Sequence, residues 1–168
     1  MPRTLIQATG FLLGFWIALS LAPMTVSIAR ADDVPYAELE ARLHREINAI
    51  RMHKHLVLLE RRRDLDRVAR IHSEDMARRG YLSHENPEGR SPLDRISTGA
   101  SDGFTLAAEN LGTTDRGDST REILDAWLAS PVHRQNLLAP PFNATGIGVA
   151  RNLDGAWVYT QVYVTYPQ

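Results

Sequence analysis

Between Ala156 and Tyr166 the chain carries a strand-like segment that is apolar on both of its faces. Trp157, Tyr159 and Tyr163 fall on one side, and Val158, Val162 and Val164 on the other. A strand with one face in water alternates apolar with polar residues, so apolar residues on both faces call for cover on both. Gly146 to Arg151 is also β-like, and Asn152-Leu153-Asp154-Gly155 between the two is a hairpin signal. Helical patterns come before them. The expected fold is therefore α/β: a three-layer α-β-α sandwich around a small central, mainly antiparallel sheet.

The helical stripes are short and separately bounded. Leu39, Leu43, Ile47 and Ile50 fall at helical spacing, which predicts an amphipathic helix over roughly Tyr36 to His53. A short apolar link, Leu56 to Leu59, follows. Leu65, Val68, Ala69, His72 and Met76 form a second stripe that ends near Gly80, with Arg78 and Arg79 suiting the dipole of its last turn. Ser91-Pro92-Leu93-Asp94 and Ser119-Thr120-Arg121-Glu122 each place a hydroxyl three residues before an acid, as a capping box does. Ser130-Pro131 joins an N-cap serine to a proline at the first helical position. Ile123, Leu124, Trp127 and Leu128 share one core-facing side.

Residues 1–31 read as a signal peptide: Arg3, the apolar run Phe11 to Ala22, Pro23, and the cleavage pattern Ala29-Arg30-Ala31. The strongly apolar run is shorter than the roughly 20 residues a spanning helix needs. Export is expected, with a mature domain over 32–168, a periplasmic or extracellular location and no stable membrane span after cleavage. The 168 residues include no cysteine. Thiol catalysis and cysteine-ligated zinc are thereby excluded, and an exported domain must here rely on packing and hydrogen bonds instead of disulfides. A formal charge of −1 offers no footing for nucleic acid, whose electrostatic footprint is a strongly basic patch. Glu60-Arg61-Arg62-Arg63-Asp64 is basic but bracketed by acids, so a solvated loop face is expected there.

Several residues could carry chemistry. Gly99-Ala100-Ser101-Asp102-Gly103 matches the nucleophile pattern of serine hydrolases, but no strand feeds it and no helical stripe follows, so it reads as an ordinary loop. His53 and His55 close a helix and read as surface residues, while His72, inside an apolar stripe, reads as a satisfied core histidine. His84 follows a helix end, Glu109 lies in the otherwise uncharged Leu106-Ala107-Ala108-Glu109-Asn110-Leu111, and His133 sits just inside the helix opened by Ser130-Pro131. Spacing alone does not bring these three together. They are either buried hydrogen-bond partners or parts of one site.

At these residues the sequence resembles the bacterial branch of the CAP superfamily (cysteine-rich secretory proteins, antigen 5 and pathogenesis-related 1 proteins), also called SCP-like extracellular domains. The resemblance rests on His72-Ser73-Glu74-Asp75-Met76-Ala77 with Gly80-Tyr81-Leu82-Ser83-His84, and on Ala108-Glu109-Asn110-Leu111. It continues through Ala126-Trp127-Leu128-Ala129-Ser130-Pro131-Val132-His133-Arg134 and Gly146-Ile147-Gly148-Val149-Ala150, in the family's order, and spans roughly Leu39 to Tyr166. It implies an α–β–α sandwich whose cleft gathers two histidines and acidic residues, with His84, Glu109 and His133 matching three of four members. Animal and plant relatives carry a second glutamate shortly after the tryptophan of the fourth helix. Here that stretch is Trp127-Leu128-Ala129-Ser130, with no acid, although Asp125 is nearby.

Two histidines and a carboxylate could chelate a divalent cation such as zinc, or could hold a water while Glu109 fixes a histidine tautomer. The resemblance implies an exported binding module for a lipid, peptide or envelope component. The alternative is a metal-assisted hydrolase using the same cleft. For that alternative no catalytic nucleophile can be named: Ser83 and Ser130, beside His84 and near His133, are explained as loop and N-cap residues.

Overall fold

The structure, a computed structural model, describes residues 36–101 and 103–167. The expected signal peptide lies outside the described residues. Among the described residues five helices and four strands follow one another as α1 (Tyr36–His53), β1 (Glu60–Arg61), α2 (Arg63–Arg79), α3 (Pro92–Gly99), β2 (Leu106–Thr114), α4 (Ser119–Ala129), α5 (Pro131–Leu138), β3 (Ala144–Arg151) and β4 (Trp157–Thr165). No helix among them is long and apolar enough to cross a membrane.

The strands form one sheet in the order β1-β3-β4-β2. Only the two-residue β1 runs parallel to its neighbour; β3 and β2 flank β4 antiparallel. The double-faced β4 lies in the middle of three long strands, as its sequence demands. Trp157, Tyr159 and Tyr163 join Leu43, Ile47, Ile123, Trp127 and Leu137 in the core under α1, α4 and α5. Val162 and Val164 pack with Leu65, Val68, Ala69 and Ile96 under α2 and α3. Each large aliphatic side chain taken fully from water contributes about 1.5–3 kcal/mol, so the two half-cores together outweigh any surface ion pair.

Helix α2 lies on β3 at backbone contact. A Cβ on Gly146 would overlap the Leu65 carbonyl carbon and Asp66 nitrogen, and one on Gly148 would overlap Ala69 and Arg70 backbone atoms. Ser73 completes the seam by donating to the Gly148 carbonyl at 2.9 Å, with Thr160 Oγ1 2.8 Å away.

The outer edge of β3 is finished by side chains. β1 covers only Ala144 and Thr145. Beyond it, Ile147 N–H donates to Asp66 (2.9 Å) and Val149 N–H to the buried Glu40 (3.4 Å). Arg61 and Arg70 neutralise Glu40 at 2.8 and 2.6 Å, and Arg61 also reaches Asp66 at 3.0 Å. This corrects the expectation for Glu60 to Asp64. The run is an edge strand and helix start whose arginines answer carboxylates that close the sheet, and Arg62 lies over the Tyr166 ring at 4.4 Å.

Helix ends follow the sequence with two exceptions. Ser91 and Asp94 form the expected capping box, and Gly80 closes α2 at φ 70°. For α4 the cap is Asp118, which accepts from Arg121 N–H, while Ser119 turns inward to the Tyr159 hydroxyl at 2.6 Å. Ser130 occupies the N-cap of α5 without a side-chain capping bond. A buried hydroxyl partner outcompetes the cap in the first case because leaving the Tyr159 hydroxyl unpaired inside costs more.

Candidate functional site

Strand β2 places Glu109 and Asn110 on opposite faces of the sheet. Glu109 pairs in register with Val162 and turns toward α3; Asn110 pairs with Gln161 and turns toward α5. Each then organises the side chains on its own face.

On the α3 side, the buried Glu109 carboxylate is held between two cations or donors. One oxygen meets His84 Nδ1 at 2.8 Å and the other accepts from Arg95 at 2.8 Å. A carboxylate only accepts, so Nδ1 of His84 carries the proton, and in the neutral ring Nε2 keeps its lone pair. His84 is just over half exposed while Glu109 is 1% exposed at its side chain, so the imidazole is the reachable part of the pair. Arg95 also donates to the carbonyls of His84 (2.9 Å) and Arg90 (2.8 Å), fixing the loop between α2 and α3. His72 pins the same loop through Nε2 to the Ser83 carbonyl at 2.9 Å. Burial, with a lesser push from Arg95, holds the His72 pKa below its ordinary value, as suits a neutral core histidine.

On the α5 side, Asn110 donates to the His133 carbonyl (2.9 Å) and to the Tyr163 hydroxyl (3.1 Å), and its own oxygen accepts from Asn136 at 2.9 Å. Tyr163 passes the chain on to Gln161 at 2.7 Å. His133 is thus set by its backbone. Its pKa is lowered, first by burial and then by the charge of His84. Of the three residues singled out from the sequence, the structure joins His84 and Glu109 by direct contact, while His133 is tied by its carbonyl to Asn110, the neighbour of Glu109 on β2.

Two residues nearby were not legible as site members. Arg95 is one, because an arginine in a short helix has no distinguishing spacing; Asn110 is the other. Asp125 points away and pairs with Arg121 at 2.8 Å on the surface. Ser101, in the hydrolase-like motif, is bonded to Asp64 at 2.8 Å.

Among the described residues no three His, Asp or Glu side chains are grouped as ion ligands. Glu109 stands behind His84 as its orienting partner, with its second oxygen taken by Arg95, which leaves two imidazole nitrogens.

From the His84–Glu109 pair a hollow of about 460 Å³ runs between α3 and β2, walled by Pro92, Leu93, Phe104 and Leu106. A second, of about 840 Å³, lies on the α5 side and includes Leu128, Leu138, Phe142 and Arg134. Both share Leu106, Ala107 and Ala108.

Comparison with known proteins agrees with this architecture. The chain is 33% identical to YkwD of Bacillus subtilis (strain 168) over 119 residues, covering 70% of this chain and 43% of that one. It is 34% identical to the membrane protein YlbC of the same organism over 117 residues, covering 70% and 32%. The chain therefore spans less than half the length of these curated relatives. It superposes on an extracellular protein containing a SCP domain from Bacillus anthracis str. Ames with TM-score 0.68 and 31% identity, covering 77% of this chain and 41% of that one. With an outer surface protein from Borrelia burgdorferi the TM-score is 0.72 at 22% identity, covering 80% and 97%, a likeness of fold. Residues 44–163 match the cysteine-rich secretory protein family, and the chain belongs to that CAP family.

Proposed function

We propose that the chain is an exported, non-catalytic binding module that takes a lipid, peptide or envelope component into the cleft between α3 and α5. One observation carries this reading: the reachable imidazole of His84, locked by Glu109, opens directly onto a hollow with apolar walls. Apolar walls with one or two fixed polar groups are what a ligand pocket needs. Exposed Leu93 and Leu106 line the same hollow.

The test uses two probes, a dansylated undecanoic acid for acyl chains and a library of N-acetyl pentapeptides, with the domain from Asp32 onward. One-to-one binding of either probe, lost in Leu93→Glu at unchanged melting temperature, supports the reading. No binding of either sinks it.

The hydrolase alternative draws on the same His84–Glu109 pair, since a carboxylate-oriented imidazole can move a proton. It would require turnover that collapses in Glu109→Gln.

A further inference from the structure

Among the described residues strand β2 is an edge strand, paired with β4 on one side. Part of its outer edge is closed by side chains: the Glu109 carbonyl accepts from Asn136 at 3.3 Å and the Leu111 carbonyl from Trp127 at 2.8 Å. Both carbonyls therefore point away from β4. In an antiparallel pair alternate residues do so, which turns the N–H and C=O of Ala107, and the N–H of Glu109, outward as well. Among the described residues no side chain bonds these three groups. They lie where the two hollows meet, one hollow on each face of the sheet.

We infer that the cleft, read as a binding site above, takes an extended peptide that adds to the sheet as a strand beside Leu106–Glu109. Two features favour a peptide over an acyl chain. The open groups alternate donor and acceptor at strand spacing, and only a backbone answers both. Successive side chains of an added strand point to opposite faces, so neighbouring residues of the peptide would enter the α3-side hollow and the α5-side hollow in turn. Charge also fits. Arg134, whose side chain makes no ion pair among the described residues, lines the α5-side hollow, while the Glu109 carboxylate is already neutralised by Arg95. The peptide would be apolar at alternate positions and carry a carboxylate at the Arg134 end.

The experiment titrates a positional-scanning library of N-acetyl pentapeptides up to about 1 mM, the weak end of specific binding, against the domain from Asp32 onward. The selected sequence is then N-methylated one residue at a time. Methylation at a single position, the one donating to Ala107 C=O, should weaken binding at least tenfold, while methylation at the residues on either side changes little. Ala107→Pro, which removes one outward N–H at an edge position where proline is tolerated, should weaken it to a similar extent. Arg134→Glu should move the library's preference from an acidic to a basic residue. The methylation series depends on no variant folding. Equal affinity across that series, or no peptide binding where dansylated undecanoic acid binds, overturns the strand-addition inference and leaves a binding module. Failure of both probes overturns both.

Discussion

The guanidinium of Arg95 lies 2.8 Å from Glu109 Oε2, and both side chains are buried, at 8% and 1% exposure. This contact decides what kind of carboxylate the cleft possesses. An unpaired buried carboxylate would be free to ligate or to take a proton; one clamped by arginine and imidazole is a scaffold that aims His84.

Removing Arg95 should therefore cost more than the contact itself contributes. Arg95→Met leaves the Glu109 charge buried beside only His84, and breaking such a pair costs roughly 3–5 kcal/mol. Urea midpoints should fall accordingly. The double variant Arg95→Met/Glu109→Gln, which removes the charge too, should recover part of that loss. Additive losses in the double variant would show that the two side chains act separately.

The histidines give a pH dependence with a definite sign. His72 and His133 both have folded pKa values below the ordinary 6.5, burial being the first cause in each. The unfolded chain then binds protons more readily, so stability present above pH 6.5 is lost as pH falls through the folded values. Urea titrations from neutral to mildly acid pH should show this decline. In NMR titrations His133 should move up toward its ordinary value in His84→Ala, but only partway, because burial remains.

Much of this was legible in the sequence because it rests on local pattern. The bounds of α1, the two-faced character of β4, the hairpin before it and the capping box at Ser91 each follow from a few neighbouring residues. β2 does not read as a strand, since Ala107-Ala108-Glu109-Asn110 alternates nothing apolar with polar; its middle is buried and carries the polar residues that build the site. Arg95 and Glu40 were hidden for a related reason. Each is a charged residue on a helix that reads as solvent-facing until its partner, 14 residues away for Arg95 and 21 for Glu40, is known to lie opposite.

Zinc distinguishes the two functional readings. Two imidazoles without a third grouped ligand predict weak calorimetric binding at neutral pH, reduced further in His84→Ala and His133→Ala. Tight one-to-one binding abolished in both variants would reinstate the metal-assisted hydrolase and call for assays of turnover.

Arg51 offers a stability test far from the cleft. Fully buried in α1, it donates to the carbonyls of Val57, Leu137, Ala139 and Phe142 at 2.9–3.2 Å. It ties the link after α1 to the chain leaving α5. A buried carbonyl left without a donor costs about 1–3 kcal/mol, so Arg51→Met should lower stability by several kcal/mol. Lysine has no planar fork to reach divergent acceptors. Arg51→Lys should thus rescue little, measured by the same urea unfolding.

The sharpest test of the fold is Gly148→Ala. Gly148 is in an ordinary strand conformation, so its role is not conformational freedom. The added methyl has no place to go: it meets Ala69 and Arg70 backbone atoms of α2, which cannot rotate aside as a side chain would. Either α2 lifts from β3 or β3 bends away from β4. Lifting α2 would break the Ser73 bond to the Gly148 carbonyl and loosen the half-core of Leu65, Val68 and Ala69. Overpacking commonly costs about 1–3 kcal/mol and more where the clash is with backbone. The domain should lose at least that much in urea unfolding. The same substitution at Gly117, where an added Cβ meets nothing within 4 Å, should be nearly silent. Equal effects at the two positions would mean that α2 and β3 do not pack at backbone contact in solution.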